Sequence, residues 1–241
     1  MDGSGGQTVG RCRKRESGVE LDLPAVLARL DEPDPEAQQT ALEQIQETLE
    51  DEPTRCLPTV PKLRALLRQP DRAFLDQVAY CLAELAAASP TDVAPSADAI
   101  ASFAAAHESH EATPDLLRCL AAVAAERPAA LAAHVDALAS GLERDEPAAR
   151  ADAAKAIARV AADQNSLSLP RNRLLTALED ENPRVRANAC AALGHGNATD
   201  TRESLEVLVD DDPESSVRER AKWALERLAC RSVDGSVDTD G

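Results

Sequence analysis

The feature that most constrains this chain is a segment that occurs twice near its C-terminus. The run 180–194 reads DENPRVRANACAALG. Its pattern returns 32 positions later, in the order Asp212, Val217, Arg218, Ala221, Ala224, Leu225. A helical segment that repeats its apolar positions together with its Asp and Arg indicates stacked structural repeats. We therefore expect the chain to fold as a solenoid.

The same pattern extends upstream. With Leu193 as an anchor, the equivalent positions are Ile45, Leu82, Leu120, Ile157, Leu193 and Leu225, at steps of 37, 38, 37, 36 and 32 residues. The positions four and one before each anchor are almost all apolar, and these offsets share one side of an α-helix. We expect these three columns to form the buried stripe.

Each anchor helix is predicted to be the second of a pair. A shorter apolar helix precedes it, followed by a turn rich in Asp, Glu and Pro, such as 31–35 or 145–147. Asp and Asn cap helix N-termini, and Pro suits the first helical turn. The pattern predicts an all-α solenoid of about six antiparallel hairpins over residues 21–231. The Gly-rich start (1–20) and the acidic end (232–241) are predicted to be disordered.

Composition supports helices and describes the surface. The chain has four aromatic residues among 241, and Ala and Leu dominate its apolar content, which favours close-packed helices over strands. The net charge is −17 with only four lysines. This composition resembles that of proteins from salt-loving archaea, so we expect a haloarchaeal protein whose acidity serves solvation.

Cysteine usage and the start of the chain bear on location. The six cysteines show no metal-ligand spacing, and most lie beside Ala and Leu, as buried small residues do in a reducing compartment. No apolar run is long enough to span a membrane, and the first residues lack the apolar region of a signal peptide. We expect a cytoplasmic protein.

The run 180–194 resembles the HEAT repeat of the short, phycobilisome-lyase-like kind. The resemblance is strong in the fifth repeat, good in the sixth, partial in the fourth and weak in the first three, where Gln38 and Leu75 replace the arginine. It implies a right-handed solenoid in which turn Asp and helix Arg form a ladder between repeats. The residues it assigns to that structural ladder are Asp180, Arg186, Asp212 and Arg218.

Catalytic motifs are sparse. His107-Glu108 and His110-Glu111 are similar to the His-Glu pairs of deoxyhypusine hydroxylases, but that family distributes its pairs over separate repeats, and here both lie in one linker. We expect them to be solvent-exposed loop residues and predict no metal site and no cofactor. Gly194 and Gly196 end a helix, so they do not form a phosphate loop.

One helix face offers a binding surface. Offsets −5, −2 and +2 from the anchor lie opposite the buried stripe, and the resemblance places that side on the concave surface. In the last three repeats these positions are Asp152, Lys155, Arg159, Asn188, Ala191, His195, Arg220, Trp223 and Arg227. In the first three they are Thr40, Glu43, Glu47, Gln77, Tyr80, Glu84, Asp115, Arg118 and Ala122.

The sign of charge therefore reverses along this face. We hypothesise that Lys155, Arg159, Arg220, Trp223 and Arg227, hereafter the C-terminal inner surface, bind an acidic partner segment, since Trp and Arg are enriched at binding hot spots. The alternative is internal pairing, for example of Arg227 with Glu226 or Glu219, with Trp223 covering the end of the stack.

The sequence thus favours a non-enzymatic, protein-binding scaffold or adaptor. An accessory enzyme of the lyase or hydroxylase kind and a nucleic-acid-binding repeat protein remain alternatives. Nucleic acid is disfavoured by the charge, no membrane partner is expected, and the oligomeric state is left open.

Overall fold

A computed structural model describes residues 21–164 and 168–234, with side chains to residue 230. Within these ranges the chain is helical and contains no β-strand. The helices are α1 (Leu23–Asp31), α2 (Pro35–Asp51), α3 (Val60–Leu66), α4 (Leu75–Ala88), α5 (Pro90–Val93), α6 (Ala97–Ala106), α7 (Thr113–Glu126), α8 (Val135–Ser140), α9 (Pro147–Asp163), α10 (Arg171–Ala177), α11 (Pro183–His195), α12 (Arg202–Asp211) and α13 (Ser215–Asp234).

The helices form six hairpins in two layers. Each second helix packs on the helix before it, and successive second helices pack on one another. The second helices are α2, α4, α7, α9, α11 and α13. The first layer is less regular, because several of its helices begin in Pro-containing 3₁₀ turns such as Pro53–Thr59 and Pro128–His134. The predicted all-α solenoid is confirmed. Contact is more extensive between second helices than between first helices.

The described ranges bear only partly on the predicted boundaries. Helix α1 begins close to the predicted start at residue 21, and α13 continues through Asp234, past the predicted boundary at 231. The predictions for residues 1–20 and 235–241 fall outside the part of the chain that the structure describes.

The buried stripe follows the three predicted columns. Five of the anchors are fully buried, and Leu225 in the last helix is half-buried. Among the flanking positions only Gln44, in the first hairpin, is not fully buried. Both exceptions lie in terminal hairpins, where a second helix has a neighbouring second helix on one side only. Local signals also act as predicted: Asp34 and Asn182 accept backbone N–H groups at the starts of α2 and α11.

Four cysteines pack as small core residues. Cys56, Cys81, Cys119 and Cys190 are buried, and burial raises the pKa of the last three to about 12. A thiolate is therefore strongly disfavoured at these sites. Cys230 is exposed on α13, and Cys12 lies outside the described residues.

A second helical face, at offsets −6, −3 and +1 from the anchor, contacts the following repeat. In α9 and α11 it consists of small residues: Ala151, Ala154, Ala158, Ala187, Cys190 and Gly194. A Cβ on Gly194 would lie 2.8 Å from the Ala224 Cα atom, so glycine permits the close approach of α11 to α13. The equivalent positions of α13 are the charged, exposed Glu219, Lys222 and Glu226.

Candidate interaction surface

Arginines at the seventh position before the anchor connect the last three repeats. Arg150 donates to both carboxylate oxygens of Asp180, at 2.6 and 3.1 Å. Arg186 donates in the same way to Asp212, at 2.7 and 2.9 Å. Each guanidinium also donates through Nη1 to the carbonyls five and six residues before it. One arginine therefore closes its own turn and binds the turn of the next repeat.

Arg218 makes only the first of these two sets of contacts. Its Nη1 donates to the carbonyls of Asp212 and Pro213, and no described carboxylate lies beyond it to complete a third pair. Among the predicted ladder residues, the side chains of Arg186 and Asp212 meet. Asp180 pairs with Arg150, and it meets Arg186 through its backbone carbonyl.

Shorter side chains take the same position in the first three repeats. Gln38 Nε2 donates to the Glu32 carbonyl at 2.7 Å, and Thr113 Oγ1 donates to the His107 carbonyl at 2.8 Å. Both bonds reach six residues back, as the arginines do. Leu75 is buried and has no polar group to offer. These three repeats therefore lack the side-chain connection to the following turn.

The ion pairs of the ladder are shielded from water. The Asp212 side chain is 2% exposed and that of Arg186 is 10% exposed. Hydrogen bonding from Arg186 lowers the pKa of Asp212, and bonding to Asp212 raises the pKa of Arg186. These charges are buried and already paired with one another across the repeats, so they are not available to bind a ligand.

Trp223 organises the C-terminal inner surface. The guanidinium carbons of Arg220 and Arg227 lie 5.4 and 5.7 Å from the centroid of its ring, within cation–π range. The His195 ring lies 4.8 Å from the same indole. The two arginines precede and follow Trp223 by about one helical turn, so a single aromatic ring orients both guanidinium groups.

No described carboxylate forms an ion pair with Lys155, Arg159, Arg220 or Arg227. The alternative pairing of Arg227 with Glu226 or Glu219 does not occur among the described side chains. Arg227 Nε is buried and makes no hydrogen bond within the part of the chain that is described. This surface therefore holds cationic groups whose charge is not neutralised by direct contact with any described carboxylate.

An open depression of about 390 Å³ lies beside these residues, between α9, α11 and α13. Lys155 and Arg184 line it together with Asp152, Asn188 and Ser216. Burial raises the pKa of Asp152, while Lys155, Arg118 and Arg184 act in the opposite direction. The depression thus presents two exposed cations around one partly buried carboxyl group.

Our sequence reasoning missed Arg184. It lies nine positions before the anchor, and at 100° per residue this offset falls on the same face as offsets −2 and −5. Extending the column would have found it, and would also have found Glu36 in the first repeat. The equivalent residue of the third repeat, Glu111, lies in the turn before α7. The added column keeps the reversal of charge between the two ends of the face.

The first three repeats present a different version of this face. Arg118 donates to Glu84 at 2.6 Å and to Asp115 at 3.0 Å, and its guanidinium carbon lies 5.7 Å from the centroid of the exposed Tyr80 ring. The cation of this half is therefore neutralised by neighbours. Glu43 and Glu47 on α2 are exposed, and no described basic group forms an ion pair with either.

The two linker histidines differ from expectation. His107 and His110 are half-buried, with ring centroids 4.5 and 5.4 Å from that of Phe103, and His110 Nδ1 accepts the Ala112 N–H. The prediction of solvent-exposed loop residues holds for Glu108 and Glu111, which are exposed, and was wrong for the two histidines, because the turn folds both rings onto Phe103. Within the described ranges, no group of three or more His, Cys, Asp or Glu residues is placed to hold a metal ion. Nor is any helix there long and apolar enough to cross a membrane.

Comparison with known proteins agrees with this architecture. A family model described as HEAT repeats matches residues 135–226, the span from α8 into α13. No curated protein matches the sequence. The chain is similar in structure to a designed armadillo repeat protein in complex with the peptide (KR)4, with a TM-score of 0.69 and 17% identity, covering 86% of this chain and 100% of that one.

Two further solved structures resemble it. One is a computationally designed armadillo repeat protein for modular peptide recognition, with a TM-score of 0.66 and 19% identity over 86% of this chain and 100% of that one. The other is the archaeal HEAT-like repeats protein from Thermococcus onnurineus NA1, with a TM-score of 0.61 and 13% identity over 85% and 86%. At these identities the likeness concerns the fold, which is a HEAT- or armadillo-like helical solenoid.

Proposed function

We propose that this protein is a non-enzymatic scaffold or adaptor that binds an acidic segment of a partner protein on its C-terminal inner surface. The observation that carries the proposal is the arrangement of Arg220 and Arg227 around Trp223. Both cations lack an ion pair with any described carboxylate. In a chain of net charge −17, a cluster of cations without such pairs is unusual, and a bound anion from a partner would neutralise it.

The chemistry of this cluster suits carboxylates. A guanidinium offers parallel N–H donors that match the two oxygens of a carboxylate. Contact with the indole restricts both arginine side chains before binding, which lowers the entropic cost of holding a ligand. The Nε of Arg227 lacks a hydrogen bond among the described residues, so this guanidinium is not held by a described acceptor at that atom.

The fold supports a partner that is an extended peptide segment. Repeat solenoids expose long, continuous faces, and two designed proteins of similar fold are described by peptide binding or peptide recognition. The peptide in one of those complexes is (KR)4, which is basic. The C-terminal inner surface is itself cationic, so we infer an acidic ligand here.

We also infer a haloarchaeal protein from the composition, a cytoplasmic location from the cysteine usage and the lack of a long apolar run, and the short phycobilisome-lyase-like HEAT type from the resemblance of the run 180–194. Its acidic exterior would then serve solvation in concentrated salt. Under that interpretation the cationic C-terminal inner surface is the feature that carries information about partners.

The test is a fluorescence-anisotropy titration with labelled peptides at about 0.15 M salt, where the Debye length is about 8 Å. We expect a peptide with six glutamates among neutral residues to bind, and its uncharged glutamine counterpart to fail. Arg220→Gln/Arg227→Gln should weaken binding at least about tenfold, since charge-assisted hydrogen bonds contribute about 1.5–3 kcal/mol each. Trp223→Ala should weaken it by releasing both arginines.

The matched control is Arg68→Gln/Arg202→Gln, which removes two exposed arginines, one from the turn after α3 and one from first-layer helix α12. It should bind the acidic peptide as the wild type does. Equal loss in the two double variants would mean that net charge alone drives binding, and would contradict the proposal. A single-stranded oligonucleotide that binds more tightly than the peptide, with affinity falling steeply with salt, would favour the nucleic-acid alternative.

A further inference from the structure

The face that carries the C-terminal inner surface changes sign along the solenoid. At its first end, Glu43 and Glu47 on α2 are exposed and form no ion pair with a described basic group. At its other end, Lys155, Arg159, Arg220 and Arg227 form none with a described carboxylate. Both signs of charge are therefore available at opposite ends of one face.

In the middle of the face the charges are paired with one another. Arg118 on α7 is bound by Glu84 from α4 and by Asp115 from its own helix, at 2.6 and 3.0 Å. The exposed side chain there is Tyr80, whose ring lies against the Arg118 guanidinium. A ligand crossing this region would meet an aromatic ring and a self-neutralised charge cluster.

The sign of charge differs between the two ends of the face. Four of its nine residues at offsets −5, −2 and +2 in the first three repeats are Asp or Glu, and four of the nine in the last three are Lys or Arg. The added column contributes Glu36 to the first half and Arg184 to the other. General surface acidity does not account for this reversal.

We propose that the partner segment carries two charge blocks, a basic block that binds Glu43 and Glu47 and an acidic block that binds the C-terminal inner surface. This inference rests on the proposed function, because the acidic block is the ligand described there. The basic block adds a second contact whose distance from the first is fixed by the stack. An acidic segment without a basic block would leave the first end of the face unused.

The stack sets the separation of the two blocks. Packed helices lie about 8–10 Å apart, so α2 lies about 24–30 Å from α9 and about 40–50 Å from α13. An extended chain advances about 3.3 Å per residue. The centres of the two blocks should therefore be about 8–15 residues apart in an extended segment.

The experiment compares four labelled peptides by anisotropy at about 0.15 M salt. Two contain three lysines and three glutamates, separated by about ten neutral residues in the long probe and by two in the short one. The third contains the glutamate block alone, and the fourth is the chain's own segment 232–241. We expect the long probe to bind at least about fivefold more tightly than the glutamate block alone, since each exposed ion pair adds about two- to fivefold.

Two variants locate that gain. Glu43→Gln/Glu47→Gln should bring the long probe down to the affinity of the glutamate block and leave the glutamate block itself unaffected. Glu203→Gln/Glu206→Gln, which removes two exposed glutamates from α12, is the control with the same change of charge and should retain the gain.

Each other outcome decides against the inference. If the short probe binds as well as the long one, or if both double variants lose the gain equally, spacing and site play no part and the proposal is overturned. In that case a glutamate block that still binds keeps the proposed function intact. If segment 232–241 binds as tightly as the long probe, the occupant is the chain's own acidic end and not a two-block partner.

Discussion

The first and last three hairpins share one architecture but are joined by different chemistry. In both halves the seventh position before the anchor closes the preceding turn by donating six residues back, through Gln38 and Thr113 in one half and Arg150, Arg186 and Arg218 in the other. In the last three hairpins the donor at this position is an arginine, and Arg150 and Arg186 continue to the next turn. The local task is thus common to both halves, and the connection between repeats belongs to one.

The comparison teaches that a repeat signature mixes two requirements. Any side chain of suitable length with a donor meets the requirement to close the turn, so this position tolerates Gln and Thr. The connection requires a long, forked cation and a facing Asp together. The first half joins its repeats by apolar packing between second helices and by more exposed ion pairs such as Arg118–Glu84 and Lys62–Asp31. The last half adds the buried ion pairs of the ladder to apolar packing.

The largest expected effect comes from Arg186→Ala. Removal of the guanidinium leaves the Asp212 carboxylate buried without its partner and the Asp180 and Glu181 carbonyls without a donor. Breaking a buried ion pair costs about 3–5 kcal/mol. We expect a loss of this size in the free energy of unfolding, measured by urea denaturation followed by circular dichroism at 222 nm. Arg184→Ala, an exposed neighbour on the same helix, should change it by less than about 0.5 kcal/mol.

Gly194→Ala should have the next largest effect. Its new Cβ would meet the Ala224 backbone at 2.8 Å, which cannot rotate away, and overpacking of this kind costs about 1–3 kcal/mol. Gly141→Ala is the comparison. Its new Cβ would also meet a fixed atom, the Ala153 Cβ, at 2.8 Å, but its other two near neighbours are the terminal methyls of Leu117, which can move. Urea midpoints should rank Gly194→Ala below Gly141→Ala, and the reverse order would contradict the close packing of α11 on α13.

The closing bond in the first half can be tested with Gln38→Ala. The substitution leaves the Leu30 and Glu32 carbonyls without their side-chain donor, and loss of a buried hydrogen bond costs about 1–3 kcal/mol. We expect a destabilisation clearly smaller than that of Arg186→Ala in the same assay. Equal losses would mean that the ion pair to the next turn adds no stability beyond closure of the preceding turn.

The ion pair also predicts a dependence on pH. Arg186 lowers the pKa of Asp212 below its usual value of about 4. A carboxylate with a lowered folded-state pKa contributes stability that is present above the unfolded value and is lost as pH falls through the folded value. The difference in unfolding free energy between wild type and Asp212→Asn should therefore be constant from about pH 5 to 7 and should narrow below about pH 4. A constant difference at low pH would contradict the pairing.

The smallest effect is kinetic and distinguishes the halves directly. Cys81 and Cys190 are buried in opposite halves, so labelling by a thiol reagent requires local opening of each half. In a background lacking Cys12 and Cys230, Arg186→Ala should accelerate labelling of Cys190 more than that of Cys81, as measured by mass spectrometry. Equal acceleration would indicate that the two halves open as one unit.

Periodicity predicted most of the fold. The anchor spacing defined six second helices and their buried columns, because burial on one side of a helix repeats at fixed offsets. Periodicity did not predict that different side chains at the same position make the same contact. Gln38 and Thr113 differ from arginine, yet each donates to the carbonyl six residues back. The packing of His107 and His110 onto Phe103 depends on the path of a turn, which residue spacing does not contain.

The candidate surface was predicted in part. Offsets opposite the buried stripe identified Trp223 and its arginines, because helix geometry alone assigns a face. The contact of both guanidinium groups with one indole ring depends on side-chain rotamers, and the neutralisation of Arg118 by Glu84 depends on packing between helices. Neither follows from composition or spacing, and Arg184 was missed because the column was not extended far enough.

The charged face of α13 has a consequence for how such arrays are counted. Where α9 and α11 present small residues to the hairpin that follows, α13 presents Glu219, Lys222 and Glu226. A hairpin added by the same packing would have to bury three charges without partners, which costs several kcal/mol for each. These three side chains thus disfavour the packing of a further hairpin on α13 and limit how many repeats can stack in this way. Replacing them by small residues would remove that limit without altering any other part of the solenoid.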